Sequence, residues 1–287
     1  MTLCIAWKIN NSIHFASDSR AKLTNNSHFD HCIKVVSVPI KILGPIGIGD
    51  SQPDILYEQN IGMCYAGSFM NAYTLKEIMA QTLSKLQSIP GITDVSMEQL
   101  CRLISKFYEF ISKKVSYALF EKGLAKFFLT GYCPKDKRIK AFKFEVNVDE
   151  DNNELTASFE EILRNNNEIE FIGSGSGGAR RRYKNITNTN PLSILRDIIK
   201  DANINSVGGS IQYGKIDAID FKVYGIQDYS VDENRKEIEI SYNINGVEIL
   251  DNPFTIKWDE FHLMQTYITP FKVEIDSYIE QNYLVVT

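Results

Sequence analysis

Thr2 stands ahead of Asp18, Arg20 and Lys34, and these residue types in that order can carry acyl transfer through a hydroxyl. A threonine hydroxyl is a weak nucleophile until a base takes its proton. With Met1 removed, Thr2 would carry that base itself. A free α-amine has an ordinary pKa of about 7.7–8.0, so a useful fraction is neutral near pH 7 and can take the proton directly or through a water. A peptide nitrogen is not a base, so Met1 must leave, and the small second residue suits a methionine aminopeptidase. A lysine close to the amine and the hydroxyl lowers the pKa of both, by like-charge repulsion and by favouring the alkoxide. Buried lysines need a paired carboxylate. Singly, each residue also has a plain structural role: Thr2 as the start of an edge strand, Lys34 on a solvated strand face, Asp18 in a turn.

Two other groupings invite a chemical reading. Gly173-Ser174-Gly175-Ser176-Gly177-Gly178 follows an apolar run and formally satisfies G-x-G-x-x-G, a dinucleotide fingerprint. The next residues, Ala179-Arg180-Arg181-Arg182-Tyr183, offer no clear apolar helix face, and no second parallel strand closes the unit, which argues against a nucleotide. His28, His31 and Cys32 are metal-capable. Only His14 and His262 remain as further histidines and no second cluster accompanies them, so no metal or cofactor is expected.

The elements that must position Thr2 and Lys34 begin at once. Leu3, Ile5, Trp7 and Ile9 alternate as in a strand, Asn10-Asn11 is a turn, and Ile13 and Phe15 repeat the period, so a hairpin is expected through Arg20. Ala21–His31 reads as a polar loop, Ile33–Val38 as a short strand, Pro39–Asn60 as an irregular connection, and Gly62–Ser68 as a strand ending in a tight turn. Leu75, Ile78, Met79, Leu83 and Leu86 form one helical stripe. Leu100, Leu103, Ile104, Phe107, Ile111, Val115 and Leu119 form a second, opened by the capping box Ser96–Gln99. Strands are expected at Ala125–Cys133, Arg138–Val148 and Glu168–Ile172, with Asp149–Asn153 an acidic turn. A third helix carries Leu192, Ile194, Leu195, Ile198 and Ile199 behind Pro191. Asp201–Gly214 is glycine- and serine-containing. Strands follow at Ala218–Ile226, Glu237–Ile244 and Val247–Leu250, then a mixed tail through Phe261–Val286. This order lacks the regular alternation of a doubly wound sheet. Two sheets between helix layers fit it better.

The net charge of −5 argues against a general nucleic-acid surface. No apolar run reaches the roughly 18–20 residues that cross a bilayer, and no signal peptide is evident, so no membrane partner is expected. The 5 cysteines, odd in number and widely spaced, fit a reducing cytoplasm better than a disulfide scaffold.

Taken together, the opening of the chain resembles a proteasome β-type subunit, an N-terminal-nucleophile hydrolase of the bacterial proteasome kind. Asp18, in Asp18-Ser19-Arg20, and Lys34 fall 16 and 32 residues after Thr2, matching that family's spacing. Ala66-Gly67 resembles its Ala-Gly turn, from which Gly67 would supply a backbone N–H to an oxyanion. Ser174 matches the serine of its Gly-Ser-Gly, with Ser176 second. Asp201 and Ser206 match the acidic residue and the serine that hold the N-terminus there, although Ser206-Val207-Gly208-Gly209 has an extra valine and Asp201 stands further upstream; Asn203 or Asn205 could take its place. The resemblance covers roughly residues 2–230 and leaves 231–287 as a C-terminal extension packed on or continuing that domain. It implies an α+β fold, a four-layer αββα sandwich. It also implies hydrolysis of an amide in a polypeptide or peptide through a Thr2 ester, and self-association into rings or stacks, with an ATPase unfoldase among the partners it allows. An inactive scaffold subunit and a small-molecule amidase of the same wider class are the alternatives. Tyr65, Ala21 and Cys32 lie where that family's substrate pocket would be.

Overall fold

Strand β1 (Cys4–Ile9) and strand β2 (Ser12–Asp18) pair antiparallel from Cys4 opposite Ser17 to Ile9 opposite Ser12. Asn10 closes the turn at φ +54°, a left-handed conformation that a short amide side chain tolerates. The alternation expected from the sequence sorts side chains to two faces. Leu3, Ile5 and Trp7 join one apolar cluster, while Cys4, Ala6, Ile13 and Phe15 join another. This computed structural model describes residues 2–23, 27–45, 53–89, 91, 95–149, 154–183, 190–232, 237–249, 267–271 and 285–286. Met1, most of the acidic turn Asp149–Asn153 and most of the tail Phe261–Val286 lie outside the described residues.

The remaining elements follow in order. They are β3 (Ala21–Lys22), β4 (His28–Phe29), β5 (Val35–Leu43), β6 (Ile55–Gly67), α1 (Phe69–Leu83), β7 (Leu86–Gln87), α2 (Met97–Leu119), β8 (Ala125–Cys133), β9 (Arg138–Asp149), β10 (Glu154–Ile162), β11 (Ile169–Ile172), α3 (Ser176–Arg182), α4 (Pro191–Lys200), β12 (Ile211–Ile216), β13 (Phe221–Asp232), β14 (Glu237–Ile244), β15 (Val247–Ile249), β16 (Tyr267–Ile268) and β17 (Val285–Val286). One sheet runs β11-β1-β2-β12-β13-β14-β15, with β16 on β13 and β17 on β14; a second runs β10-β9-β8-β6-β5-β7. The chain is thus a mixed α and β fold built on two large sheets.

Three apolar clusters hold it together. Helices α1 and α2 pack Leu75, Met79, Leu83, Ile104 and Tyr108 on the second sheet, where Phe127 and Phe144 stack at 4.4 Å. The α3 and α4 residues Ala179, Leu192, Leu195 and Ile198 pack on the first sheet beside Leu3 and Ile5. Phe15 of the first sheet and Phe128 of the second meet at 5.9 Å in the third cluster. Burying each large apolar side chain contributes about 1.5–3 kcal/mol.

Several expectations change. Pro39–Asn60 is not irregular where described: β5 runs to Leu43 and β6 starts at Ile55, pairing across a bulge near Ile42. Proline is tolerated inside β5 because β7 pairs with that strand only at Ile42 and Leu43, so Pro39 lies at an open edge. Ala21–His31 contains the small β3–β4 pair, Leu86 belongs to β7 rather than to the first helix, and β10 and α3 were not anticipated. Helix α3 shows no apolar stripe because small residues make its contact. Gly178 and Ala179 are its buried positions, and a Cβ on Gly178 would stand 3.1 Å from Ile198 of α4. The capping box is present, with Ser96 accepting from the Gln99 amide.

His14 of β2 stacks on Trp7 with ring centroids 5.1 Å apart, and its Nδ1 lies 2.7 Å from the Tyr213 hydroxyl. Burial first, then nearby Lys215, lowers its pKa to about 4. The unfolded chain therefore binds the proton more readily, and stability present above about pH 6.5 is lost as pH falls toward 4. The loss should approach ~3 kcal/mol. Urea midpoints at pH 7 and pH 4.5 check this, and His14→Asn should flatten the slope.

Candidate active site

Lys34 stands just before β5 with its ammonium inside the protein, 2% exposed. Its three donors are all engaged: Nζ lies 2.7 Å from Thr2 Oγ1, 3.0 Å from Asp18 Oδ1 and 2.5 Å from the Arg20 carbonyl. Asp18, at the end of β2 and fully buried, accepts from the Leu3 amide on Oδ1 (3.0 Å) and from the Arg20 (3.2 Å) and Gly208 (3.1 Å) amides on Oδ2. The carboxylate therefore faces four donors, which makes burial of its charge tolerable. The hairpin explains the meeting. Leu3 and Asp18 are joined across the open end of β1–β2, where the Asp18 amide donates to the Leu3 carbonyl at 3.4 Å, so Thr2 lies directly beside Asp18.

Beyond the strand ends, the Thr2 carbonyl accepts from the Gly175 amide at 3.3 Å. Gly173, at φ +96°, comes so close that an added Cβ would stand 2.1 Å from the Thr2 carbonyl oxygen and 3.1 Å from the Ala66 Cβ. Only glycine fits there. Gly173→Ala should lower stability by about 1–3 kcal/mol, read from a urea unfolding midpoint. Gly67 ends β6 at φ +105° and is exposed, and Ser68 after it caps α1 by accepting from the Asn71 amide. The end of β6 thus packs, at Ala66, on the same Gly173 that meets Thr2.

The remaining expected residues fall into two groups. The Ser174 and Ser206 hydroxyls lie 2.9 Å apart in the turns after β11 and α4. Asp201 caps the end of α4, where it accepts from the Asn203 amide (3.0 Å) and side chain (3.1 Å) and pairs with Arg182 at 2.5 Å. The Asn203 amide and then the Arg182 guanidinium hold its carboxyl below the ordinary range. Asn205 gives its carbonyl to Arg20 at 3.3 Å.

Sequence reasoning missed the residues that fix this arrangement from behind. Asp30 receives Arg20 through two bonds of 2.7 Å each. Ser19 accepts from the Ser210 amide at 2.8 Å. The Gln212 side chain, 1% exposed, binds the backbone on both sides of Cys32–Val35. A glutamine inside the otherwise apolar run Ile211–Gly214 is the signal that could have flagged it.

No cysteine competes with Thr2 as nucleophile. All five are buried and unpaired, and burial pushes the thiols of Cys32, Cys64, Cys101 and Cys133 up, away from the reactive thiolate. His28, His31 and Cys32 turn to separate partners: Asp30, the Gly246 carbonyl and the Tyr65 hydroxyl. Among the described residues Glu98, Cys133 and Asp136 bring ligand atoms within 4.8 Å of one another, but Lys140 pairs with both carboxylates and already supplies the cation.

No family model matches the chain, and no curated protein matches it in sequence. Among solved structures it is similar to the helically assembled Anbu complex from Pseudomonas aeruginosa, with 14% identity over 78% of this chain and 86% of the other, at a TM-score of 0.51. It is also similar to Anbu, an ancestral beta-subunit, from Yersinia bercovieri, with 13% identity over 75% and 81% of the two chains and a TM-score of 0.49. At such identity the likeness is one of fold: the chain shares the proteasome-like fold of the Pseudomonas complex.

Proposed function

We propose that the chain is a threonine-type N-terminal-nucleophile hydrolase that cleaves an amide in a polypeptide or peptide. The observation that carries this reading is the Lys34 ammonium, 2.7 Å from the Thr2 hydroxyl and anchored by the buried Asp18. In the processed chain the α-amine of Thr2 takes the proton from Oγ1 as that oxygen attacks the substrate carbonyl. Lys34 stabilises the developing alkoxide, and the Gly67 N–H faces the oxyanion. Collapse breaks the C–N bond, and the proton held by the amine passes to the leaving nitrogen. A water then attacks the resulting ester, and Thr2 regains its proton as the acid leaves. Ser174 and Ser206, 2.9 Å apart, orient the amine, and Asp201 steadies the turn that carries Ser206 through Asn203 and Arg182.

The catalytic unit is residues 2–230, an αββα sandwich, and residues 231–287 extend it. The antiparallel pairing of β13 with β14 across that boundary supports an extension continuous with the same domain. Self-association as a homo-oligomer follows by analogy with the helical assembly of the Pseudomonas complex; an ATPase unfoldase as a further partner follows only from the resemblance to proteasome β-type subunits. Five unpaired thiols support a cytoplasmic setting.

Intact mass before and after a threonine-directed β-lactone tests the chemistry. The expected species lacks one methionine and gains one adduct, and Thr2→Ala gains none. Retained Met1 without an adduct would leave a scaffold subunit with the fold alone. Turnover of a small amide with none of an unfolded protein would redirect the substrate to small molecules.

A further inference from the structure

We infer that Gln212, braced by the turn Asn245–Gly246 between β14 and β15, is a positioning residue for Lys34, which makes the C-terminal hairpin part of the acylation machinery. This rests on the reading of Thr2 and Lys34 given above. Gln212 Oε1 accepts from the Lys34 amide at 2.8 Å and from the Val35 amide at 3.1 Å. Its Nε2 donates to the Cys32 carbonyl at 2.7 Å and to the Asn245 carbonyl at 3.4 Å. One side chain thus grips three consecutive peptide groups around the lysine and ties them to the hairpin.

The need for such a clamp comes from the strand boundary. The β5–β6 ladder begins at Val35 opposite Cys64, and Lys34 precedes it, meeting β6 through its carbonyl, which accepts from the Tyr65 amide at 3.2 Å. Lys34 and Val35 are 2% and 1% exposed, so water cannot replace Gln212 at their amides. A lysine stem has four rotatable carbons, and its Nζ can hold 2.7 Å from Thr2 Oγ1 only while its backbone is fixed. The turn braces the same place a second way. The His31 Nδ1–H donates to the Gly246 carbonyl at 2.8 Å. A Cβ on Gly246, at φ +84°, would stand 2.6 Å from the Ser19 Cβ and 3.0 Å from Gln212 Nε2. The hairpin backbone therefore lies directly against Ser19, between Asp18 and Arg20, and against the clamp.

Two variants of the full chain test this, Gln212→Leu from the clamp side and Gly246→Ala from the hairpin side. Each is read by β-lactone acylation of Thr2 and by amide hydrogen exchange. A misplacement of about 1 Å slows a positioned reaction by roughly 100-fold. Both variants should therefore lower the maximal acylation rate by up to about that factor, leave the half-saturating lactone concentration unchanged, and move the rising limb of the pH–rate profile to higher pH. The Lys34 and Val35 amides should lose protection by about tenfold or more while the Tyr65 amide keeps its own. If one variant fails to fold, the other carries both readouts. Unchanged acylation with protection lost would make Gln212 a structural residue only and overturn the proposal, as would retained protection at both amides. A wild-type chain that never acylates removes the reading of Thr2, and the positioning role with it. The exchange data, which need no reaction and can be taken in Thr2→Ala, then report separately whether the clamp exists.

Discussion

Lys34→Met is expected to slow β-lactone acylation of Thr2 by about 10²–10³-fold, the cost of removing one donor that stabilises a developing oxyanion. Methionine keeps most of the apolar stem in place and removes the ammonium that lies 2.7 Å from Thr2 Oγ1 and 3.0 Å from Asp18 Oδ1. The stability loss should be the smaller effect. Asp18 would keep the Leu3, Arg20 and Gly208 amides, and a carboxylate with three backbone donors remains well solvated by the protein. Breaking a buried ion pair otherwise costs about 3–5 kcal/mol, and this variant should fall below that range. Adduct formation followed by intact mass, beside a urea titration, separates the two effects. A variant that acylates within a few-fold of wild type would remove Lys34 from the mechanism.

Asp18→Asn should reverse the balance and carry the largest stability penalty of any single change at the site, about 3–5 kcal/mol. Each Asp18 oxygen faces two donors: Lys34 Nζ and the Leu3 amide on one side, the Arg20 and Gly208 amides on the other. An amide turned either way sets its own NH₂ against two of them, and Lys34 loses its counter-charge inside the protein. The isosteric substitution should therefore be nearly as harmful as Asp18→Ala, and both should destabilise more than Lys34→Met. Urea midpoints of the three variants test that order. If Lys34→Met proved the least stable, the amide shell would not be what sustains the carboxylate.

Much of the fold was legible because its signals are local. The period of Leu3-Ile5-Trp7, the Asn10-Asn11 turn, the Ser96–Gln99 capping box and the stripe of α2 each lie within one element, where a few residues decide the geometry. The misreadings came where burial depends on a neighbour. Leu86 fits the α1 period but pairs with β5 as β7, because Ser84 ends the helix and the next turn lies on a sheet edge. β10 alternates Leu155, Ala157 and Phe159, a strand period, yet it follows an acidic turn and carries several glutamates. Pairing with β9 and the Arg138–Glu161 ion pair at 2.7 Å accommodate them. In the site, a hairpin of set register brings Thr2 and Asp18 together, while Lys34, outside the hairpin, was named from the spacing shared with proteasome β-type subunits.

The sequence by itself determined the opening hairpin, which follows from strand period and its turn, and its resemblance to a proteasome β-type opening named Thr2 and the charged pair as candidates. Only the tertiary structure decided how the pair is held. The Gly208 amide on Asp18, the contact of Gly173 with the Thr2 carbonyl and the Gln212 grip on Lys34 join residues far apart in the chain, and the Asp30 clamp on Arg20 closes a ten-residue loop. No local pattern names the partner that each of these groups meets. A buried donor or acceptor must be satisfied by whatever group the packed sheets bring within reach, and that group is chosen by the fold as a whole.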